Sequence, residues 1–510
     1  MDYLNKLLKT LILLALMLPI FAQESEDEEE GLEVVVTTAT KTEKDILDTA
    51  QAVTALTGSQ LVQLGLNNIK DLNNMIPGLY VQNTDTNAPI ITLRGIRTEN
   101  VTELGDPAVG IHVDGVYVAR PQAANALMFD LERTELTRGP QGTLYGRNSV
   151  VGTLNIVTAK PNFDIQGGSL NLEGGQLNQA GLRAHYNLPI NEKLALRFAY
   201  MEQSKDSFLD GYWDGSQLDW RRLPSNITDQ FQTITSPDQR SYLSDYAWYL
   251  GCSTQPGNGC GQGEFSDPFT KVKADPADFY TAIQDSAWRV SATYVIDDNT
   301  DINLQYENYE DNGKGWTNVL SCELMKTRQG AMAKDGPANT CTDLLGSENR
   351  FQAYANTPGF NKMNMDSFRA IYKRQLNETT NLTVNYGYQE LEQSSQFEID
   401  SGVNYQYGMA FNINRLLTES NVLDAYLTGA DDKWAWVGGV FTSTEDNDML
   451  ANFTAELNGH DYFVQPNREL NHYAVYGQAT YALRDDLFFT FGGRFSYDEK
   501  SDVGGRNINC

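Results

Sequence analysis

The sequence predicts two unlike parts in one chain: an α+β domain over residues 46–160, then an antiparallel β-barrel made to span a membrane over residues 161–510. Three observations predict it. Apolar and polar residues alternate with period two in eleven successive segments after residue 167, the pattern of half-buried strands. The connections between those segments are long at one end and tight at the other. Past the N-terminus, nothing approaches the ~20 consecutive apolar residues of a membrane-spanning helix. Composition narrows the function classes. With 67 acidic against 38 basic residues the formal charge is −29, which excludes a protein that displaces counterions from nucleic acid.

In chain order, Lys6 and Lys9 precede an apolar run over residues 11–18, followed by Pro19, Ile20, Phe21 and Ala22. Residues 1–22 therefore read as a secretory signal peptide, since the run is too short to span a bilayer. The mature chain then lies outside the inner membrane, where thiols oxidise. Cys252 with Cys260 and Cys322 with Cys341 are candidate loop disulfides, their connectivity left open. A zinc site is the alternative, but the spacings are wrong and no histidine lies near. Cys510 has no obvious mate.

Residues 23–45 form a leader. Its first part is nearly all acid and reads as solvated chain. Residues 31–40 are extended and β-branched, of the kind that another protein's sheet edge captures as an added strand. In the α+β domain, Thr57 reads as a helix cap with Gly65 closing the helix, and a second short helix over 67–75 is stopped by Pro77 and Gly78. Short strands are expected at 90–93, 109–113 and 152–157.

The later segments repeat one pattern. Leu194, Leu196, Phe198 and Tyr200 alternate with Ala195, Arg197 and Ala199, and residues 288–296, 302–306, 368–372, 382–388, 423–427, 434–440, 473–483 and 487–497 follow suit. A soluble sandwich buries such an apolar face, whereas a membrane barrel turns it to lipid. Loop lengths decide. Connections over 204–285, 311–365, 392–418 and 443–470 are long, and those at 189–192, 297–299, 377–380, 430–432 and 484–486 are tight. That sorting marks an outer-membrane barrel with long external loops. Eleven is an odd count, and residues 498–510 read as the start of another long loop. The expectation is the N-terminal part of a barrel whose closing strands lie beyond residue 510.

Several motifs in residues 46–160 resemble, in order, those of the plug of TonB-dependent outer-membrane receptors of the siderophore and iron-uptake type. They are Ile76-Pro77-Gly78-Leu79, Thr92-Leu93-Arg94-Gly95, Val113-Asp114-Gly115-Val116, and the run Glu135-Leu136-Thr137-Arg138-Gly139-Pro140-Gln141-Gly142-Thr143-Leu144-Tyr145-Gly146-Arg147-Asn148. Glu33-Val34-Val35-Val36-Thr37 resembles the TonB box, placed after the leader and before the plug. The resemblance implies a barrel of about 22 strands, of which about half is present. It implies Arg94, Gly95, Asp114, Gly115, Arg138, Gly139, Pro140, Gly142, Tyr145, Gly146 and Arg147 as plug motif residues. It also implies energised uptake of a scarce nutrient, a ferric siderophore first, with TonB and its ExbB/ExbD partners in the periplasm and outer-membrane lipid around the barrel. Vitamin B12, oligosaccharide or another organic nutrient is the alternative cargo, and a passive plugged porin the alternative machine.

Residue chemistry adds its own expectations. The arginines at 94, 138 and 147 pair a fixed cation with a flexible glycine, and are expected to bridge plug to lumen acids such as Glu173 or Glu307 rather than touch ligand. The glycines at 139, 142, 146 and 152 lack the Gly-Lys-Ser/Thr of a phosphate loop. Asp206, Asp210, Asp214 and Asp219 do not have EF-hand spacing and read as solvated loop acids. No catalytic constellation, cofactor site or metal site is expected.

Overall fold

The computed structural model describes residues 36–38, 41–42, 44–45, 51–83, 89–98, 106–122, 128–214, 271–317, 351–355, 359–398, 409–455, 459–484 and 486–509. The signal-peptide segment, Glu33 to Val35 of the box and all five cysteines fall outside them. The chain starts with a two-strand hairpin, β1 (Val36–Thr37) against β2 (Lys44–Asp45). The plug follows: β3 (Ala52–Thr57), α1 (Gly58–Gln63), β4 (Leu79–Asn83), β5 (Pro89–Leu93), β6 (Val109–Val113), β7 (Val116–Val118), β8 (Leu131–Arg138) and β9 (Gly152–Thr158). Thr57 ends β3 and caps α1 reciprocally with Gln60, and Gly65 at φ +64° breaks the helix, as its sequence implies. The second expected helix is a 3-10 segment, Ile69–Asn74, capped by Asn68. Five strands form one sheet in the order β3-β8-β9-β6-β7, with β4–β5 a separate hairpin. Leu72, Leu93, Ile111, Leu136 and Ile156 fill the core between them.

The wall is an antiparallel sheet of eleven strands, as the periodicity predicts: β10 (Gly167–Gly174), β11 (Ala180–Asn191), β12 (Leu194–Lys205), β15 (Ile283–Asp297), β16 (Thr300–Asp311), β18 (Phe360–Asn377), β19 (Thr380–Glu398), β20 (Met409–Ala430), β21 (Trp434–Ala455), β22 (Gly459–Arg484) and β23 (Leu487–Asn509). The three remaining strands, β13 (Asp210–Asp214), β14 (Lys271–Lys273) and β17 (Gln352–Ala355), make a small sheet that joins the first two long connections.

Burial on the wall is inverted relative to a soluble sheet. On β16, Gln305 and Glu307 are 2% and 0% exposed, while Leu304 and Tyr306 between them are 38% and 41% exposed. The polar face packs on the plug and the apolar face points away from it, as lipid requires. Phe489, Phe491, Phe495 and Tyr497 continue the outward apolar face on β23. Toward the long-loop end, just past an outward pair of aromatics, Phe368 and Tyr388, five carboxylates stand directly opposite one another on five adjacent strands: Asp366, Glu390, Glu419, Asp446 and Glu469. Like charges so placed are tolerable only in water, so this row marks where the hydrocarbon ends.

Two expectations need correction. Residues 443–470 are not a long loop, since β21 and β22 extend through them and leave only 456–458 between. Residues 498–509 are likewise strand, the end of β23. The strands lengthen along the chain, from 8 residues in β10 and 12 in β12 to 26 in β22.

Candidate functional site

The N-terminal segment lies against both plug and wall. Thr37 is buried, and its hydroxyl donates to Glu135 at 3.1 Å. The Thr38 amide and hydroxyl donate to the same carboxylate at 3.0 Å each. Arg133 Nε donates to Glu135 at 2.7 Å and neutralises it in its buried position on β8. The Tyr145 hydroxyl donates to the Thr38 carbonyl at 2.8 Å, and Asn155 Nδ2 to the Thr38 hydroxyl at 2.9 Å. Three residues on, the Lys41 ammonium crosses to the wall, where it pairs with Asp424 and donates to the Tyr476 hydroxyl at 2.9 Å. Burial pushes the Lys41 ammonium below its usual range, against the pull of Asp424. Next to it His112 packs between Tyr117 and Tyr145, with ring centroids 5.6 and 4.8 Å away. Burial, then the nearby Lys41 and Arg494, depress its pKa to about 3, so it is neutral.

The motif residues build turns rather than bridges. Arg94 and Gly95 (φ 53° and 78°) close the turn after β5, and Arg94 is exposed. Asp114 and Gly115 (φ 51° and 83°) make the β6–β7 turn, where Asp114 accepts from the Thr158 amide at 3.0 Å and hydroxyl at 2.8 Å. The Gly139 amide donates to Val151 at 2.8 Å, Pro140 and Gly142 are exposed in the following turn, and the buried Arg138 Nε has no acceptor among the described residues. Gly146, at φ 76°, is required twice over, because a Cβ there would sit 2.6 Å from the Arg494 guanidinium of β23. Arg147 binds Asp106 within the plug at 2.5 Å. Burial would raise the Asp106 carboxyl, but Arg147 and Lys500 of the wall hold it down at about 2.

The expected bridges from Arg94, Arg138 and Arg147 to Glu173 or Glu307 therefore do not form. The traffic runs mostly the other way, from wall arginines into the plug. Arg197 grips Asp130 with two bonds, 2.9 and 2.5 Å. Arg289 donates to the Phe129 and Asp130 carbonyls at 3.2 Å each and lies 4.4 Å over the Phe129 ring. Glu307 is held on the wall between Arg289 (2.6 Å) and the fork of Arg369 (3.2 and 3.3 Å), and Arg369 comes within 4.0 Å of Asp114. Gln305 completes the corner by donating to the Thr158 hydroxyl at 2.9 Å. Arg120 is the plug arginine that does reach a wall acid, Glu445 of β21. A wet cavity of about 820 Å³ opens beneath the plug toward the tight turns, lined among others by Lys41, Asp114, Arg133, Lys160 and Lys373.

Comparison with known proteins bears on this arrangement of plug, segment and inverted sheet. Residues 45–153 match the TonB-dependent Receptor Plug Domain family. Those residues are thus similar to the plug of TonB-dependent receptors. The chain is 31% identical to the pesticin receptor of Yersinia pestis over 182 residues, 35% of this chain and 26% of that one. The ferrioxamine B receptor of Salmonella typhimurium is 29% identical over 202 residues, 37% of this chain and 27% of that one. The match thus spans about a quarter of the length of these curated relatives. The fold is similar to that of the Yersinia pestis ferric yersiniabactin uptake receptor, at a TM-score of 0.62 and 15% identity over 90% of this chain and 61% of that one. It is also similar to that of the ferripyoverdine receptor of Pseudomonas aeruginosa, at 0.63 and 16% over 93% and 55%. The exposed apolar face of the wall finds its solvent in the outer membrane.

Sequence reading finds the turn formers and misses most of the clamps. Glu135 opens the motif run and Glu307 is an expected arginine partner, but Asp424 carries no local signal, and only the rule that a buried charge needs a partner could have singled it out, burial not being visible before the fold.

Proposed function

We propose that this chain performs energised uptake of a ferric siderophore across the outer membrane, with TonB taking hold of the box over residues 33–37 and ExbB/ExbD supplying the force. One observation carries the reading: the residues just after the box are clamped at once to the plug, through Glu135, and to the wall, through Asp424. A pull on the box is therefore delivered to both bodies whose contact closes the lumen. An extended β-branched segment suits capture by strand addition. The names of the relatives favour iron carriers, and the reading is of a transporter and not an enzyme. One curated relative is the vitamin B12 transporter of Vibrio vulnificus, 23% identical over 211 residues, so B12 is the competing cargo. The test is uptake of radiolabelled iron by iron-starved cells carrying the gene with and without codons 31–40. Loss of uptake is expected. Unchanged uptake would move the chain to the passive plugged porins, and uptake of labelled B12 alone would change the cargo.

A further inference from the structure

Lys41 takes up a conformation that its residue type disfavours. Its φ is 60°, the left-handed region that residues bearing a Cβ rarely adopt, and its amide closes a turn onto the Thr38 carbonyl at 2.8 Å. A residue held there against its preference is a reason to ask what its side chain does. The ammonium is sunk between plug and wall. It sits 4.6 Å from the ring centroid of Tyr476, 4.8 Å from that of Tyr426 and 5.8 Å from that of Tyr145. Asp424 closes the fourth side, and the Tyr476 hydroxyl both accepts from the ammonium at 2.9 Å and donates to Asp424 at 2.8 Å.

The wall is shaped for this convergence. Tyr426 on β20 and Tyr476 on β22 are separated by one strand, and the residue opposite both on β21 is Gly439. A Cβ at Gly439 would lie 2.6 Å from the Tyr426 Cβ and 2.7 Å from the Tyr476 hydroxyl. Glycine there empties the space into which the two rings lean. We propose that Asp424, Tyr426, Gly439 and Tyr476, with Tyr145 as the lid from the plug, form a binding site for a primary alkylammonium group, and that Lys41 occupies it as a tethered guest.

The chemistry selects that class. Several aromatic faces with a single carboxylate suit a monovalent organic cation, because the rings attract charge without supplying the oxygens that a hard divalent metal needs. The guanidinium of Arg494 is already excluded: it stacks on the other side of the site, 5.3 Å from the Tyr476 ring and 5.2 Å from the Phe441 ring. When the segment over residues 36–45 leaves the wall, the cage is vacated and faces the lumen. A free alkylammonium, or an amine arm of a solute passing the plug, then competes with Lys41 for it. This inference is independent of which cargo is imported and of TonB itself.

The test uses the full chain in detergent micelles, with n-propylammonium chloride as the probe and sodium chloride as the ionic-strength control. Saturation transfer from protein to the probe's methyl protons reads binding. The Lys41→Ala chain, with its cage open, is expected to bind the probe at least tenfold tighter than the unmodified chain, whose cage is full. Adding Asp424→Asn to Lys41→Ala is expected to remove that binding. Adding Tyr426→Leu instead is expected to weaken it by roughly 3- to 30-fold, as loss of one cation–π face implies, with circular dichroism confirming that strand content is kept. Absence of saturable binding to the Lys41→Ala chain, equal binding by that chain and the unmodified one, or binding that survives both second substitutions would overturn the proposal.

Discussion

Where the plug corner at Phe129 and Asp130 meets the wall, Arg197 and Arg289 reach it from adjacent strands, and Glu307 is held between Arg289 and Arg369, which approaches Asp114. Where residues 37–41 meet the wall, one ammonium does the same work on a single carboxylate. The difference is one of redundancy. At the first corner each bond has neighbours that keep the geometry when it opens, and the charges are buried so deeply that opening strands a guanidinium without a partner. At the second, the buried Lys41 ammonium has Asp424 as its one carboxylate, at the end of a flexible stem. The plug is thus held by several bonds at the first corner and by one lysine at the second, with Arg120 to Glu445 and Lys500 to Asp106 as further ties between plug and wall.

The largest expected effect breaks the first corner. Glu307→Ala leaves Arg289 and Arg369 buried and uncompensated, which costs about 3–5 kcal/mol and is read as a lowered denaturant midpoint for the plug. A midpoint within error of the unmodified chain would abolish the distinction between the two corners. Acid sharpens the comparison next. His112 has a folded pKa of about 3 against a usual 6.5, so on acidification the unfolded chain takes up its proton first and stability falls as pH drops below 6.5. At pH 5 the loss is about 2 kcal/mol, near Lys41 and not at the first corner, and His112→Phe should flatten that pH dependence. Gly146→Ala follows, at about 1–2 kcal/mol from positive φ and the contact with Arg494, with part recovered by Arg494→Ala in a double-mutant cycle. The last change is Asp424→Asn, which takes from the buried Lys41 ammonium the carboxylate that holds it. Its readout is different: a protease that cuts between residues 38 and 45 should act several-fold faster, while the plug itself stays resistant.

Much of this fold was legible in the sequence, for identifiable reasons. Period two survives wherever one face of a strand must be greasy, so all eleven wall strands were visible from their lipid-facing stretches. Beyond the row from Asp366 to Glu469 the outer face no longer needs to be greasy, and the alternation that betrays a strand weakens. The stretch Glu445, Asp446, Asn447, Asp448 is strand all the same, and it reads as loop. Arg-Gly and Asp-Gly announced turns because positive φ is a local demand on residue type. They did not announce partners, because a partner such as Asp424 lies 383 residues from Lys41 and was selected by topology. The bridging arginines were sought among the motif residues and stand instead on the wall, at 197, 289 and 369, in strands whose charged residues do not show which of them meets the plug.

The lengthening of the strands along the chain has a geometric outcome. At about 3.3 Å per residue, the 14 residues by which β22 exceeds β12 amount to roughly 45 Å of ribbon. The described wall is cut on a slant, low beside β12 and tall beside β22.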